Sequence, residues 1–186
     1  MTPVLSSRTH VITLATLAAL ATMSIASSAQ AAIYVHFDGI DGSSVDSTHA
    51  NWCDVQSFSR EASAAAGGAV RRAAAQFSAI TIVREIDKAS PKLEEALVRG
   101  AVIPTVTIEA TAAFGSGIRQ VYYRLQLTNV RITRFAQSAS VASEAPIVEE
   151  VALSFETARV TFVDFDSRGR SRGNVEYSWT VPGVNP

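Results

Sequence analysis

Thr81-Ile82-Val83-Arg84-Glu85-Ile86-Asp87-Lys88-Ala89-Ser90-Pro91-Lys92-Leu93-Glu94-Glu95-Ala96-Leu97-Val98-Arg99-Gly100 is the stretch whose reading decides the fold. Its second half carries the one clear helix signal after the N-terminus. Ser90 can accept hydrogen bonds from the free N–H groups of a first helical turn, and Pro91 suits the position just inside, where its missing N–H costs nothing. Gly100 supplies a left-handed stop. Leu93, Ala96 and Leu97 fall at i, i+3 and i+4, so a narrow apolar stripe can dock on a sheet while Lys92, Glu94, Glu95 and Arg99 stay in water. The expected helix is short, about Pro91 to Arg99, and docks through Leu93 and Leu97.

Outward from that helix the chain reads as strand. Ile33, Val35 and Phe37 alternate with Tyr34, His36 and Asp38, the period of a half-buried strand. Asp38-Gly39-Ile40-Asp41-Gly42 turns the chain, and a polar loop through Thr48 leads to a second strand around 52–58. A strand from Ser78 to Glu85 feeds the helix. Pro104 starts the next, with Val106, Ile108 and Ala110 opposing Thr105, Thr107 and Glu109, and Gly115-Ser116-Gly117 makes a hairpin turn. In the long strand that follows, Val121, Tyr123, Leu125 and Leu127 share a face, after which Val130 and Ile132 take over. A bulge near Asn129 would explain that phase shift and bend one strand across two sheets. Gln137 to Pro146 is a small-residue linker. Alternation resumes at Val151, Leu153 and Phe155, continues at Val160 and Phe162, and ends with Val175, Tyr177, Trp179 and Val181. Many bent strands and one helix give a mainly β (α+β) chain, an antiparallel two-sheet β-barrel or sandwich with one short α-helix.

The 186 residues, 47% hydrophobic and 18% charged, describe one ordinary globular domain with a sizeable core and no signature of disorder. The N-terminus differs. Arg8 precedes an apolar run from Val11 to Ala21, then small residues and Ala29-Gln30-Ala31, the order of a signal peptide over residues 1–31 ahead of a single domain over 32–186. The apolar run is too short and too interrupted for a membrane span. Removing residues 1–31 leaves a formal charge of −2, so bulk attraction to nucleic acid or anionic lipid is not expected. Cys53 is the single cysteine, which rules out an intramolecular disulfide and reads as a buried apolar thiol.

Three separated stretches together resemble the hemolysin-coregulated protein (Hcp) family, whose members form the tube of bacterial type VI secretion systems. The first is Glu85-Ile86-Asp87-Lys88-Ala89-Ser90-Pro91-Lys92-Leu93. The second is Ile33 to Ser44, running on to His49, Trp52 and Ser57-Phe58-Ser59. The third is Val148 to Phe155, running on to Gly173-Asn174-Val175 and Trp179. On these positions the residues carrying the resemblance are Gly39, Gly42, Ser44, His49, Trp52, Asp87, Ser90, Pro91 and Leu93. The sequence departs from the family's pattern after Ser57-Phe58-Ser59, where Arg60 and Glu61 stand in place of the usual tryptophan and glycine. The resemblance implies a barrel subunit that closes into a ring of six, stacks into a tube, and carries or chaperones secreted effectors. Spike, sheath and effector proteins are the partners it implies. It also implies expulsion by the contracting apparatus without a signal peptide, which a start at Met23 in the cytoplasm would fit; the signal as written instead gives a secreted or periplasmic chain. A Sec-exported binding module that never assembles a tube is the alternative function.

From Ala62 to Ala75 the composition shifts to Ala, Gly and Arg, and Gly67-Gly68 breaks any helix. It reads as a long projecting loop, either a mobile insertion or, as the resemblance implies, a contact to neighbouring subunits through Ala64, Ala65, Ala66, Gly67, Gly68 and Ala69. No catalytic, cofactor or metal residues are assigned. His36, Asp38, Asp41, Asp46, His49 and Cys53 crowd one region, but their spacing matches no zinc or calcium motif. Asp164-Phe165-Asp166 reads as solvated charge. There is no G-x-S-x-G elbow or phosphate-binding glycine loop. The basic turn Arg168 to Gly173 lacks interleaved aromatics and reads as a hairpin tip rather than a nucleic-acid contact. The expectation is therefore a structural protein, not an enzyme.

Overall fold

A computed structural model describes residues 31–63, 76–115, 117–140 and 146–181. Residues 1–30, which hold nearly all of the expected signal peptide, and residues 64–75, which hold the expected interface loop, lie outside the described residues. In chain order the elements are β1 Ala32–Phe37, β2 Cys53–Val55, β3 Ser57–Ser59, β4 Ala62–Ser63, β5 Gln76–Phe77, β6 Ile80–Glu85, α1 Ser90–Arg99, β7 Ile103–Phe114, β8 Ile118–Ser138, β9 Val148–Ser154, β10 Thr157–Phe165 and β11 Ser171–Thr180. Every strand pairing among them is antiparallel.

The main path runs β2-β1-β7-β8-β9-β6-β3. Its two ends are consecutive in sequence, joined only by Gln56, whose N–H donates to the Val83 carbonyl at 2.9 Å. The path therefore returns on itself and wraps one apolar core. The expected single strand over 52–58 is thus two strands that part at Gln56, one serving each end of the path. A lone residue suffices because the chain must only turn a corner between two sheets.

β8 spans both sheets, as its phase shift implied. Leu125 and Leu127 are buried before Asn129, Val130 and Ile132 after it. The cause differs from the expected bulge. Asn129 takes a left-handed conformation with φ 50°, tolerable for asparagine, and flips the strand's phase without a register shift. The irregular pairings lie elsewhere, between Ala110 and Thr111 on β7, between Ile132 and Arg134 on β8 and between Asp164 and Phe165 on β10. β9 and β10 together track the bent β8 along one edge. Beyond the bend they part: β9 joins β6, while β10 carries β11 as a two-stranded flap.

Helix α1 ends as expected, on Gly100 in the left-handed region with φ 61°. Its start is a correction. Ser90 lies within the helix, Ala89 holds the capping position, and no side chain caps the first turn. The Ser90 hydroxyl instead accepts from the Asp87 N–H at 3.0 Å, so it folds the lead-in onto the helix rather than closing the helix end. Leu93 and Ala96 are buried against the core, while Leu97 is only half-buried and packs at its margin. The segment expected as one loop over 62–75 begins and is followed by paired strands, since Ala62 pairs Phe77 and Ser63 pairs Gln76.

Candidate functional site

Of the residues that carry the resemblance, Gly42, Ser44, His49, Trp52, Asp87 and Ser90 are gathered about two polar clusters, each pinning the loop 41–52 to the barrel, while Leu93 lies in the apolar core. In the first, Gly42 and Ser44 donate backbone N–H groups to the Asn51 and Trp52 carbonyls at 2.7 and 2.8 Å, closing the loop's neck. A Cβ at Gly42 would lie 2.3 Å from the Trp52 carbonyl oxygen and 2.5 Å from Cys53 Sγ, so only glycine fits. Gly39, at φ 77°, makes the turn out of β1.

The loop then lays His49 flat on Tyr34, rings 4.1 Å apart and 7° from parallel, with Trp52 meeting it edge-on at 4.9 Å. His49 Nδ1 lies 2.9 Å from Asp46 Oδ1 and Nε2 lies 2.9 Å from Glu109 Oε2. Glu109 in turn accepts from Arg124 Nε at 2.5 Å. Hydrogen bonds from Thr48, then from His49, hold the Asp46 carboxyl well below the usual carboxylate range. Burial, aided by the charge of Asp46, pushes the Tyr34 hydroxyl up.

In the second cluster Arg84, with no solvent exposure, places Nη1 2.8 Å from Asp87 and Nη2 2.6 Å from Glu149, itself fully buried. Arg84 Nη2 also donates to the Ser90 hydroxyl at 3.1 Å. Asp87 Oδ1 accepts from the Ala89 N–H at 2.7 Å, and Oδ2 from the Ser43 N–H at 3.0 Å. Burial would raise the Asp87 pKa, but the Arg84 guanidinium and these N–H groups outweigh it, and the carboxyl sits below its ordinary value. Asp87 thereby ties the loop before β2 to the helix entrance. Cys53 sits beside this cluster, its thiol pushed up to about 12, chiefly by burial. A thiol so placed is not a nucleophile at neutral pH.

Chemically, both clusters keep carboxylates and a guanidinium buried at their centres, Glu109 in the first and Arg84 with Glu149 in the second, while Arg124 at the rim of the first is half-exposed. His49 faces two carboxylates and is buried, stacked on Tyr34 with Trp52 at its edge. Among the described residues no group of three or more His, Cys, Asp or Glu is placed to hold a metal. His36 leans on the Trp52 ring instead. Asp166 accepts the backbone N–H groups of Arg168 and Arg170, which makes the 165–171 turn a self-bound hairpin tip.

Reading the sequence singled out His49 with Asp46, and Asp87 and Ser90, but missed the partners Arg84, Glu149 and Glu109. Arg84 and Glu149 stand in phase with Ile80, Ile82, Val151 and Leu153. A charged residue in the apolar phase of each of two strands was the available signal. Glu109 lies on the outer phase of β7, and nothing local shows that a loop 60 residues earlier covers it.

The chain matches the family model described as "Type VI secretion system effector, Hcp" over residues 34–162, more than half its length. The chain belongs to the Hcp family. No curated protein sequence matches it. Among solved structures it is similar to a type six secretion system protein (22% identity, TM-score 0.73, covering 82% of this chain and 96% of that one). It is also similar to a type VI secretion system effector from Yersinia pestis (24%, 0.66, 80% and 99%) and to Hcp1 from Salmonella typhimurium (24%, 0.66, 81% and 94%). At these identities the structures establish a shared Hcp fold. Among the described residues no helix is long and apolar enough to cross a membrane.

Proposed function

We propose that this chain is a ring-forming tube subunit of a type VI secretion system, which assembles from identical copies, six by the family resemblance, and travels out of the cell with effectors. The observation that carries the reading is the Hcp-family match over 34–162 on a barrel whose two polar clusters are spent on internal rigidity. A wall element needs a stiff frame, and buried ion pairs welded to the loop 41–52 supply one. A ring of identical chains repeats one heterologous contact around its axis until it closes. Spike and sheath proteins are the partners of such a tube, and cargo would be enclosed rather than converted. Export through a signal peptide over residues 1–31, or a start at Met23, decides only the route taken before assembly.

The test is the mass of the purified chain by light scattering over a wide concentration range, with electron microscopy of the product. Closed rings support the reading. A chain that stays monomeric at every concentration overturns it and favours the exported binding module that assembles no tube.

A further inference from the structure

Loop 41–52 is fastened to the barrel at two points, and only one of them is built on a side chain whose charge can change near neutral pH. Asp87 Oδ2 accepts from the Ser43 N–H at 3.0 Å, a carboxylate-to-amide bond with no proton to lose above neutrality. The other fastener is His49, which is buried between the loop and β7.

The protons on the His49 ring follow from what its two nitrogens meet. Asp46 Oδ1 accepts from the Thr48 N–H at 3.0 Å, the Thr48 hydroxyl at 2.7 Å and the His49 N–H at 3.1 Å, which keeps that carboxyl ionised. An ionised carboxylate only accepts, so His49 Nδ1, 2.9 Å from the same oxygen, must donate. The Thr48 hydroxyl has given its own proton to Asp46, so it too turns a lone pair to Nδ1, at 2.9 Å. In a neutral ring Nε2 would then carry a lone pair aimed at Glu109 Oε2, 2.9 Å away. A proton has to lie between them. Arg124 Nε, 2.5 Å from Glu109 Oε1, favours the ionised carboxylate and so leaves that proton on Nε2. Both ring nitrogens donate, and the ring is an imidazolium.

The surroundings suit a cation. Tyr34 on β1 lies flat against the ring at 4.1 Å, the face an aromatic offers to positive charge. Asp46 in the loop and Glu109 on β7 touch its nitrogens, and Asp54 on β2 stands behind Ser44. On the opposing side are Arg124 on β8, whose side chain is 53% exposed and reaches only the far oxygen of Glu109, and Arg119 on β8, which acts on the Tyr34 hydroxyl. His36 on β1 is set apart by the Trp52 ring.

We propose that His49 is a pH-sensitive latch, holding loop 41–52 on β7 as an imidazolium between Asp46 and Glu109 and releasing that hold at alkaline pH. A free histidine gives up its proton near pH ~6.5. The folded ring keeps the proton that the unfolded ring loses, so the latch's contribution to stability is full below that value and falls as pH rises above it. Loss of the Nε2 proton leaves Nδ1 on Asp46 and Ser43 on Asp87. What opens is the tie from the loop to β7, not the turn within the loop. This device is independent of the ring reading.

The experiment follows the imidazole nitrogen resonances of the nitrogen-15-labelled full chain from pH 6 to 9, assigned by through-bond correlation, and repeats the series in Glu109→Gln. The expected result is imidazolium shifts at both His49 nitrogens at pH 8. In Glu109→Gln, where the amide can donate to a bare Nε2, the ring should be neutral at that pH. Urea unfolding from pH 6 to 8 should show the unfolding constant of the unmodified chain rising by up to about tenfold per pH unit, and rising less steeply in the variant. A neutral His49 at pH 8 in the unmodified chain overturns the latch, as does an unmodified chain whose stability does not fall over that range. A ring equally charged in Glu109→Gln overturns it as well. Should that variant fail to fold, the two measurements on the unmodified chain decide alone.

Discussion

Glu149 carries a carboxylate with no exposure to water, and the Arg84 guanidinium 2.6 Å away is what makes that tolerable. Removing one member of such a pair strands the other's charge in the core, which costs about 3–5 kcal/mol. Glu149→Ala is therefore expected to lower the urea midpoint sharply, whereas an Arg134→Ala change at its exposed pair with Glu150 should cost under about 1 kcal/mol. Equal midpoints for the two variants would show that the buried pair is not a stability element. Acid acts through the same logic. Asp46 and Asp87 have folded pKa values below ordinary, so the unfolded chain binds more protons at low pH. Their contribution is fully present above the unfolded aspartate value of about 4 and is lost as pH falls below it. A stability profile from pH 6 to 2 should fall steeply at its acid end, and Asp46→Asn should flatten that fall while lowering the plateau. Cys53, by contrast, should resist thiol reagents in the native chain at pH 8 and react only on unfolding.

The helix and the bent strand show how far element-scale reading reaches. Pro91 and Gly100 placed α1 to within a residue, because propensity and stop signals act locally. The role of Ser90 escaped, since its hydroxyl is claimed by the Asp87 N–H from the turn after β6 and by Arg84 from β6 itself. The phase flip in β8 was visible in Leu127 and Val130, but two mechanisms give the same pattern, and only the backbone distinguishes a left-handed asparagine from an inserted residue. Glu109 was hidden because its cover comes from a distant loop. The helix also ranks its own apolar residues. Leu93 is fully buried while Leu97 is half-exposed, so Leu93→Ala should cost about 2–5 kcal/mol and Leu97→Ala clearly less. Equal losses in the melting temperature would mean that the helix docks on its other edge.

At the scale of the whole molecule, the barrel is closed by its own loop on one side and, among the described residues, left uncovered at the flap on the other. The loop 41–52 seals the outside of β1 and β7 with His49 and Asp87 as fasteners, while among the described residues the β10–β11 flap keeps Phe162, Val175 and Tyr177 exposed and β11 pairs with β10 alone. A stable frame with one unsatisfied face is what a repeating wall element requires. The measurement that bears on this most directly is the mass of the intact chain by light scattering from nanomolar to high micromolar concentration. A concentration-dependent rise to a closed oligomer, six copies on the family resemblance, is the predicted result; a constant monomer mass across the whole range would contradict it.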